Sequence, residues 1–398
     1  MLIGIVGKPS SGKSTLLNSM CMTDAKMGNY PFTTIKPNRG VAYVVISCPC
    51  QKLSESCNPR SGKCEDGQRY VPIEILDVAG LVPGASEGKG MGNQFLDDLR
   101  TAKALIHVVD SSGTTDEEGN QSENYNPMSD IEWLGLEIQN WIHKILFDNW
   151  TRVSRKLEQD PTKVAETILE RLSGLGANLV LIKKAIQLAD LLGVNATKWD
   201  ETQQMRLSKE LRSLLFPMIV AANKMDMSNS MANIAQMKEN YFDVEIFPVS
   251  ALAELTLRKA MEDNLINYNS KEGQVNYLID DGENNRVKVV KAIEEKILNV
   301  NGSTGVNQVL DYSVFELLNL IAVYPVENQN KLCDKDGRVL PDVFLVEKGT
   351  TAKEFAGKIH TDLADKFING ILIADVNKAI SGDHELNNGD VMKINTSS

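Results

Sequence analysis

The chain has 398 residues, 42% of them apolar and 24% charged, an ordinary balance for a globular protein of two or three domains. Lys and Arg total 42 against 53 Asp and Glu, a net charge of −11; that excludes bulk attraction to DNA and leaves RNA binding only to a local basic patch. No run approaches 18 apolar residues, so no membrane span is expected. The opening "MLIGIVG" runs straight into a loop motif and does not read as a signal peptide, so a cytoplasmic protein with reduced thiols is expected.

Residues 2–6, "LIGIV", predict a short buried strand. "GKPSSGKST" follows at 7–15, and Leu16, Leu17 and Met20 then predict one face of a helix. Gly7-x-x-x-x-Gly12-Lys13-Ser14 therefore sits between a strand and a helix, the context a phosphate loop requires. Its glycines let backbone N–H groups turn inward onto phosphate oxygens, helped by the positive end of the helix. Gly7, Ser10, Ser11, Gly12 and Thr15 are candidate loop contacts. Lys13 would reach the β- and γ-phosphates, and the Ser14 hydroxyl would bind Mg²⁺.

Next come strands expected at 41–47 and 70–76, joined by "CPCQKLSESCNPRSGKC" (48–64). This connection has almost no apolar side chains and cannot build a core of its own. Cys48, Cys50, Cys57 and Cys64 closing on a structural Zn²⁺ would supply the missing constraint. The C-x-C spacing is tighter than the usual C-x₂-C, and a flexible loop with free thiols stands as the alternative. "YVPIEILDVAG" (70–80) is an alternating strand ending in Asp77-x-x-Gly80. Asp77 would hold Mg²⁺ through water, and Gly80 would offer its N–H to the γ-phosphate. "ALIHVVD" (104–110) predicts another buried strand.

Residues 128–215 read as a helical insertion. Ile131, Leu134, Ile138, Trp141 and Ile145 recur at spacings of three and four. All four tryptophans (133, 141, 150, 199) fall within it and predict a small core. Its charges balance at twelve of each sign, so nothing marks it as an RNA arm. Strands resume at "PMIVAANKMD" (217–226) and "VEIFPVSAL" (244–252). Asn223-Lys224-x-Asp226 is a base-specificity signal: the Asp226 carboxylate can accept from both guanine N1–H and N2–H₂, a donor pair adenine lacks. Asn223 would tie the loops together, the Lys224 stem would lie along the base, and the main chain at Ser250-Ala251 would meet guanine O6. These groups lie beyond the C-terminal strand ends, where an open α/β sheet binds ligands. Residues 266–311 are polar and predict a helix at 287–299 with otherwise irregular connections. Near the C-terminus, Thr351 and Glu354 are spaced as a capping box, Phe355, Ile359, Leu363 and Phe367 predict one helical face, and "GDVMKI" (389–394) a closing strand.

Through these motifs, with "NYPFTTIKPNRGVAYV" (29–44), "LDVAGLVPGASEGKGMGNQFLDDLRTAKALIHVVD" (76–110) and "GRVLPDVFLVEKGTTAKEFAGKIHTDL" (337–363), the chain resembles Obg-related GTPases of the archaeal YchF type. The resemblance implies an α/β P-loop fold, with a mostly parallel sheet between helices. Its nucleotide domain would comprise 1–127 and 216–318, interrupted by a helical arm at 128–215. A β-grasp TGS domain would occupy 319–398. It also implies that Thr34, rather than Thr33, closes over Mg²⁺ and the γ-phosphate. Leu81 occupies the place where Ras-like GTPases carry a water-orienting Gln, so hydrolysis is expected to be slow and the catalytic group is unassigned. Ser10 stands where potassium-activated relatives have Asn. The expected function is a Mg²⁺-dependent GTP/GDP switch that works with the ribosome or RNA. Segments 29–40 and 77–92 would rearrange with hydrolysis, the latter with glycines at 80, 84, 88, 90 and 92. An ATPase of the same fold, or a metal-handling GTPase using the cysteines, are the alternatives.

Overall fold

The computed structural model describes residues 1–21, 38–52, 57–78, 98–279, 283–374 and 376–397. Thr33, Thr34, Gly80, Leu81 and the glycines at 84, 88, 90 and 92 lie outside these residues. The chain divides into two units. The first comprises Met1–Ser19, Asn38–Gly40 and Glu74–Val309, and the second chiefly Val41–Ile73 and Leu310–Ser398.

The first unit is built on strands β1 (Leu2–Val6), the Glu74–Asp77 end of β4 (Gln68–Asp77), β5 (Ala104–Asp110), β6 (Met218–Asn223) and β7 (Ile246–Pro248). Within this unit the order is β4-β1-β5-β6-β7; β2 (Arg39–Ser47), β3 (Lys63–Glu65) and the start of β4 fall mainly in the second unit, where β3 pairs with β4. The β4–β1–β5–β6–β7 pairs are all parallel. Every residue of β1 and β5 is buried, the near-continuous apolar pattern of strands covered on both faces. Helix α1 (Lys13–Cys21) follows β1 after the loop at 7–12.

The inserted helices are α2 (Met128–Phe147), α3 (Trp150–Gln159), α4 (Val164–Leu172), α5 (Leu179–Leu188) and α6 (Glu201–Leu215). Their tryptophans are core residues, as expected: Trp141, Trp150 and Trp199 are buried, and Trp133 packs against them. The Trp150 and Trp199 rings stack at 5.8 Å. This core is continuous with Leu2, Val6, Leu76 and Leu105 of the sheet. Then come α7 (Ser230–Asn240), α8 (Ala251–Glu262), α9 (Asn285–Ile293) and α10 (Val306–Tyr312). The irregular reading of 266–311 needs correction. Strands β8 (Ile266–Asn269) and β9 (Gln274–Tyr277) form an antiparallel hairpin. Ile266 and Tyr268 point inward and Asn267 and Asn269 outward, so the polar half of the alternation hid the strand.

In the second unit, β10 (Leu320–Val326), β11 (Phe344–Glu347), β12 (Phe367–Ile373), β13 (Lys378–Ile380) and β14 (Val391–Thr396) form a mixed sheet ordered β11-β10-β14-β12-β13. Helix α11 (Ala352–Ile359) starts at the expected capping box of Thr351 and Glu354 and buries Phe355 against this sheet. This is the expected β-grasp. The helical face predicted through Phe367 stops at Ile359, however. His360 is extended and caps α12 (Thr361–Asp365), and Phe367 opens β12 instead.

Candidate functional site

Strand β1 ends in the 7–15 loop, and two glycines there have no substitute. Gly7 has φ +144°, and a Cβ would lie 2.4 Å from the Val108 carbonyl oxygen; Gly12 has φ +101°, and a Cβ would lie 2.2 Å from Asn223 Nδ2. The loop must therefore pass against β5 and β6 with bare backbone. The Asn223 amide spans two loops. Its Nδ2 donates to the Ser11 carbonyl at 2.9 Å, and its Oδ1 accepts from Ala251 N–H at 3.1 Å. Ser250 caps α8 and donates its hydroxyl to Asp226 Oδ1 at 2.6 Å. A cleft of about 420 Å³ opens among these segments, lined by Ser10, Gly12, Lys13, Ser14, Thr15, Asn223, Lys224, Asp226 and Ser250. The structure thus brings most of the sequence-predicted nucleotide residues to one place, with Gly7, Ser11 and Ala251 in its supporting backbone.

At one end the Ser14 hydroxyl donates to Asp77 Oδ2 at 2.6 Å. A hydroxyl and a carboxylate converging in this way form a hard oxygen donor set that suits Mg²⁺. Lys13 Nζ donates to the Lys8 carbonyl at 2.8 Å. Burial lowers the Lys13 pKa, against the opposing pull of Asp77. Lys224 reaches from the cleft wall to Asp110 Oδ2 at 2.8 Å. Burial pushes the Asp110 carboxyl upward, but Lys224, Ser112 and Thr115 together hold it below its ordinary value.

One part of the site escaped the sequence reading. Lys8, inside the phosphate-loop motif, is fully buried. Its Nζ lies 2.8 Å from Asp130 Oδ2 on α2, donates to the Thr115 carbonyl at 2.7 Å, and sits 3.8 Å above the Tyr125 ring. The Tyr125 hydroxyl donates to Asp130 Oδ1 at 2.8 Å. The first turn of the insertion thereby clamps the loop. The only hint in the sequence was a lysine at the second motif position.

His107 on β5 is fully buried, and neither ring nitrogen has a hydrogen-bond partner among the described residues. Burial, then the charges of Lys13 and Lys8, lower its pKa to about 3. The unfolded chain protonates near 6.5 while the folded chain does not, so stability is full above that pH and declines as pH falls toward 3. At pH 5 the loss is about 2 kcal/mol. Urea midpoints at pH 5 and 7 should show this drop, and His107→Leu should flatten it; an unchanged slope would remove His107 as the cause.

In the second unit, the Sγ atoms of Cys48, Cys50, Cys57 and Cys64 all lie within 4.8 Å of one another. Among the described residues no helix is long and apolar enough to cross a membrane.

Comparison with known proteins gives three family matches. Residues 2–133 match the model "50S ribosome-binding GTPase", residues 221–328 "Obg-like GTPase YGR210-like, G4 motif-containing domain", and residues 333–396 "TGS domain". An uncharacterized GTP-binding protein of Methanocaldococcus jannaschii is 45% identical over 395 residues, 99% of this chain and 98% of that one. The Bacillus subtilis ribosome-binding ATPase YchF is 30% identical, covering 93% of this chain and 88% of its own. The crystal structure of a GTP binding protein from Pyrococcus horikoshii OT3 superposes with TM-score 0.80 at 35% identity, covering both chains fully.

Proposed function

The chain belongs to the Obg-like, YchF-type family of GTP-binding proteins, and from that premise we propose that it is a Mg²⁺-dependent GTPase acting as a slow nucleotide-controlled switch on the ribosome in the cytoplasm. The observation that carries the guanine assignment is the Asn223 bridge, which holds the Ser11 and Ala251 loops to one strand end, with Asp226 oriented by Ser250 beside it. In this reading Asp226 accepts from guanine N1–H and N2–H₂, and the Ala251 region meets O6. The backbone of residues 10–15 lines the phosphates. Lys13 gives up its Lys8 carbonyl for β- and γ-phosphate oxygens. Ser14 and Asp77 are the side chains that would hold Mg²⁺, with Thr34 a third candidate; the ion would neutralise charge between the phosphates. Gly80 would donate its N–H to the γ-phosphate. Leu81 offers no hydrogen bond to an attacking water, so turnover is slow until a partner supplies the missing group.

The relatives named ribosome-binding ATPases favour one second reading, an ATPase of the same fold, and they are also the support for a ribosomal partner. Titration of GTP and ATP against the chain, with and without ribosomes, tests both. GTP should bind at least about 100-fold more tightly than ATP, as expected when an analogue leaves the base-reading carboxylate unpaired. Ribosomes should raise the hydrolysis rate. Equal affinities would replace the guanine assignment with the ATPase reading, and an unchanged rate would remove the ribosome as activator.

A further inference from the structure

The cysteine quartet lies in the second unit and is independent of the nucleotide site's reading. Cys48 and Cys50 sit at the end of β2 and in the short turn Pro49–Lys52, and Cys64 is on β3. The β3–β4 hairpin sets Cys64 opposite Arg69. The Sγ separations are 3.9 Å for Cys48–Cys57 and 3.6 Å for Cys50–Cys64. A disulfide needs about 2.05 Å, so these are free thiols. Four sulfurs around one Zn²⁺ at about 2.3 Å stand about 3.8 Å apart along the tetrahedron edges. The observed separations bracket that edge, and the tight grouping fits a single ion rather than a multi-iron cluster.

Charge supplies a second, separate observation. Arg69 is fully buried, its Nη1 and Nη2 donate to the carbonyls of Leu340 and Pro341 at 3.0 Å, and Nη1 lies 3.8 Å from Cys57 Sγ. It has no carboxylate partner among the described residues, and its Nε has no acceptor. A buried cation without a counter-charge is costly, and the Cys57 sulfur facing Nη1 can carry one as a thiolate. Four thiolates with one Zn²⁺ carry a net charge of −2, which would compensate Arg69. Tyr324 is buried in the same cluster, and its hydroxyl also has no hydrogen-bond partner among the described residues.

We propose that Cys48, Cys50, Cys57 and Cys64 bind one structural Zn²⁺ as a tetrathiolate, and that this ion closes the 48–64 connection on itself where it packs against the β-grasp part of the second unit. The connection is already aligned there: Asn58 N–H donates to the Val339 carbonyl and Arg60 N–H to the Pro341 carbonyl, and Arg60 pairs with Asp334 and Asp342. The ion takes the place of the core that this polar segment lacks.

Metal analysis of the full chain, purified under reducing conditions without added metal, should find one zinc per chain. It should be retained equally with GDP and with a non-hydrolysable GTP analogue. Cobalt exchanged into the wild-type chain should show the intense ligand-field absorption of a tetrahedral thiolate site. Cys50→Ser/Cys64→Ser should lose the metal and expose the remaining thiols to alkylation; the cobalt spectrum keeps the test decisive if that variant misfolds. A metal-free chain with four alkylatable thiols would overturn the proposal, as would stoichiometric iron. Zinc released when the GTP analogue binds would overturn the structural role in favour of metal handling.

Discussion

Replacing Asp226 with Asn should weaken GTP binding by about 10²–10⁴-fold while raising affinity for xanthosine triphosphate. In the proposed reading the carboxylate accepts two hydrogen bonds from guanine. Bonds to a charged partner contribute about 1.5–3 kcal/mol each, so losing both costs about 3–6 kcal/mol, and each 1.4 kcal/mol is a factor of about ten in affinity. The substitution should leave the fold intact, because Asn keeps an oxygen to accept the Ser250 hydroxyl now bonded to Asp226 Oδ1. Its amide would present donors where xanthine carries a carbonyl oxygen in place of the guanine amino group. Phosphate contacts from the 7–15 loop should be unaffected. Paired equilibrium titrations with the two triphosphates check this, and unchanged affinities for both would mean that Asp226 does not read the base.

The second large effect is on stability. Lys8→Met should destabilise the chain by about 3–5 kcal/mol, the usual result of stranding one member of a buried ion pair. Lys8 and Asp130 are both essentially inaccessible to solvent. Even with Lys8 beside it, burial holds the Asp130 carboxyl above its ordinary value. A carboxyl whose pKa is raised by folding is tolerated below its unfolded value near 4 and becomes increasingly costly as pH rises through the folded value. The deficit of Lys8→Met relative to wild type should therefore widen between pH 4.5 and 7. Adding Asp130→Asn removes the stranded charge and leaves an acceptor for the Tyr125 hydroxyl, so the double variant should recover most of the loss. Denaturant unfolding of the four proteins closes the cycle. A double variant no more stable than Lys8→Met would show that the lysine acts through its packing on Tyr125 rather than through its charge.

These two residues also show what could be read from sequence and what could not. Asp226 was legible because its motif is local: Asn223, Lys224 and Asp226 are fixed by one strand end, and Ser250 by the next. Gly7 and Gly12 were legible for the same reason, since a loop squeezed between strand and helix demands bare backbone. Asp130 was not, because it lies 122 residues from Lys8 and only the packing of α2 beside the loop makes them partners. The β8–β9 hairpin was hidden by asparagines on its outer face. The α11 helix was overextended because Leu363 and Phe367 continue its spacing, whereas His360 breaks the backbone path. The cysteines fell between these cases: their spacing left a loop and a metal site equally open, and only the β3–β4 turn brings Cys64 back to the others.

The aromatic stack in the insertion has a practical consequence. Every tryptophan of the chain lies between residues 133 and 199, so intrinsic emission excited at the indole band comes from that helical region alone. The parallel Trp150–Trp199 pair places two indoles close enough to couple, giving a circular-dichroism signature in the near ultraviolet that vanishes when the helices separate. Trp133 and Trp141 share α2 with Asp130. The chain thus carries a built-in optical reporter on the helix that clamps the 7–15 loop.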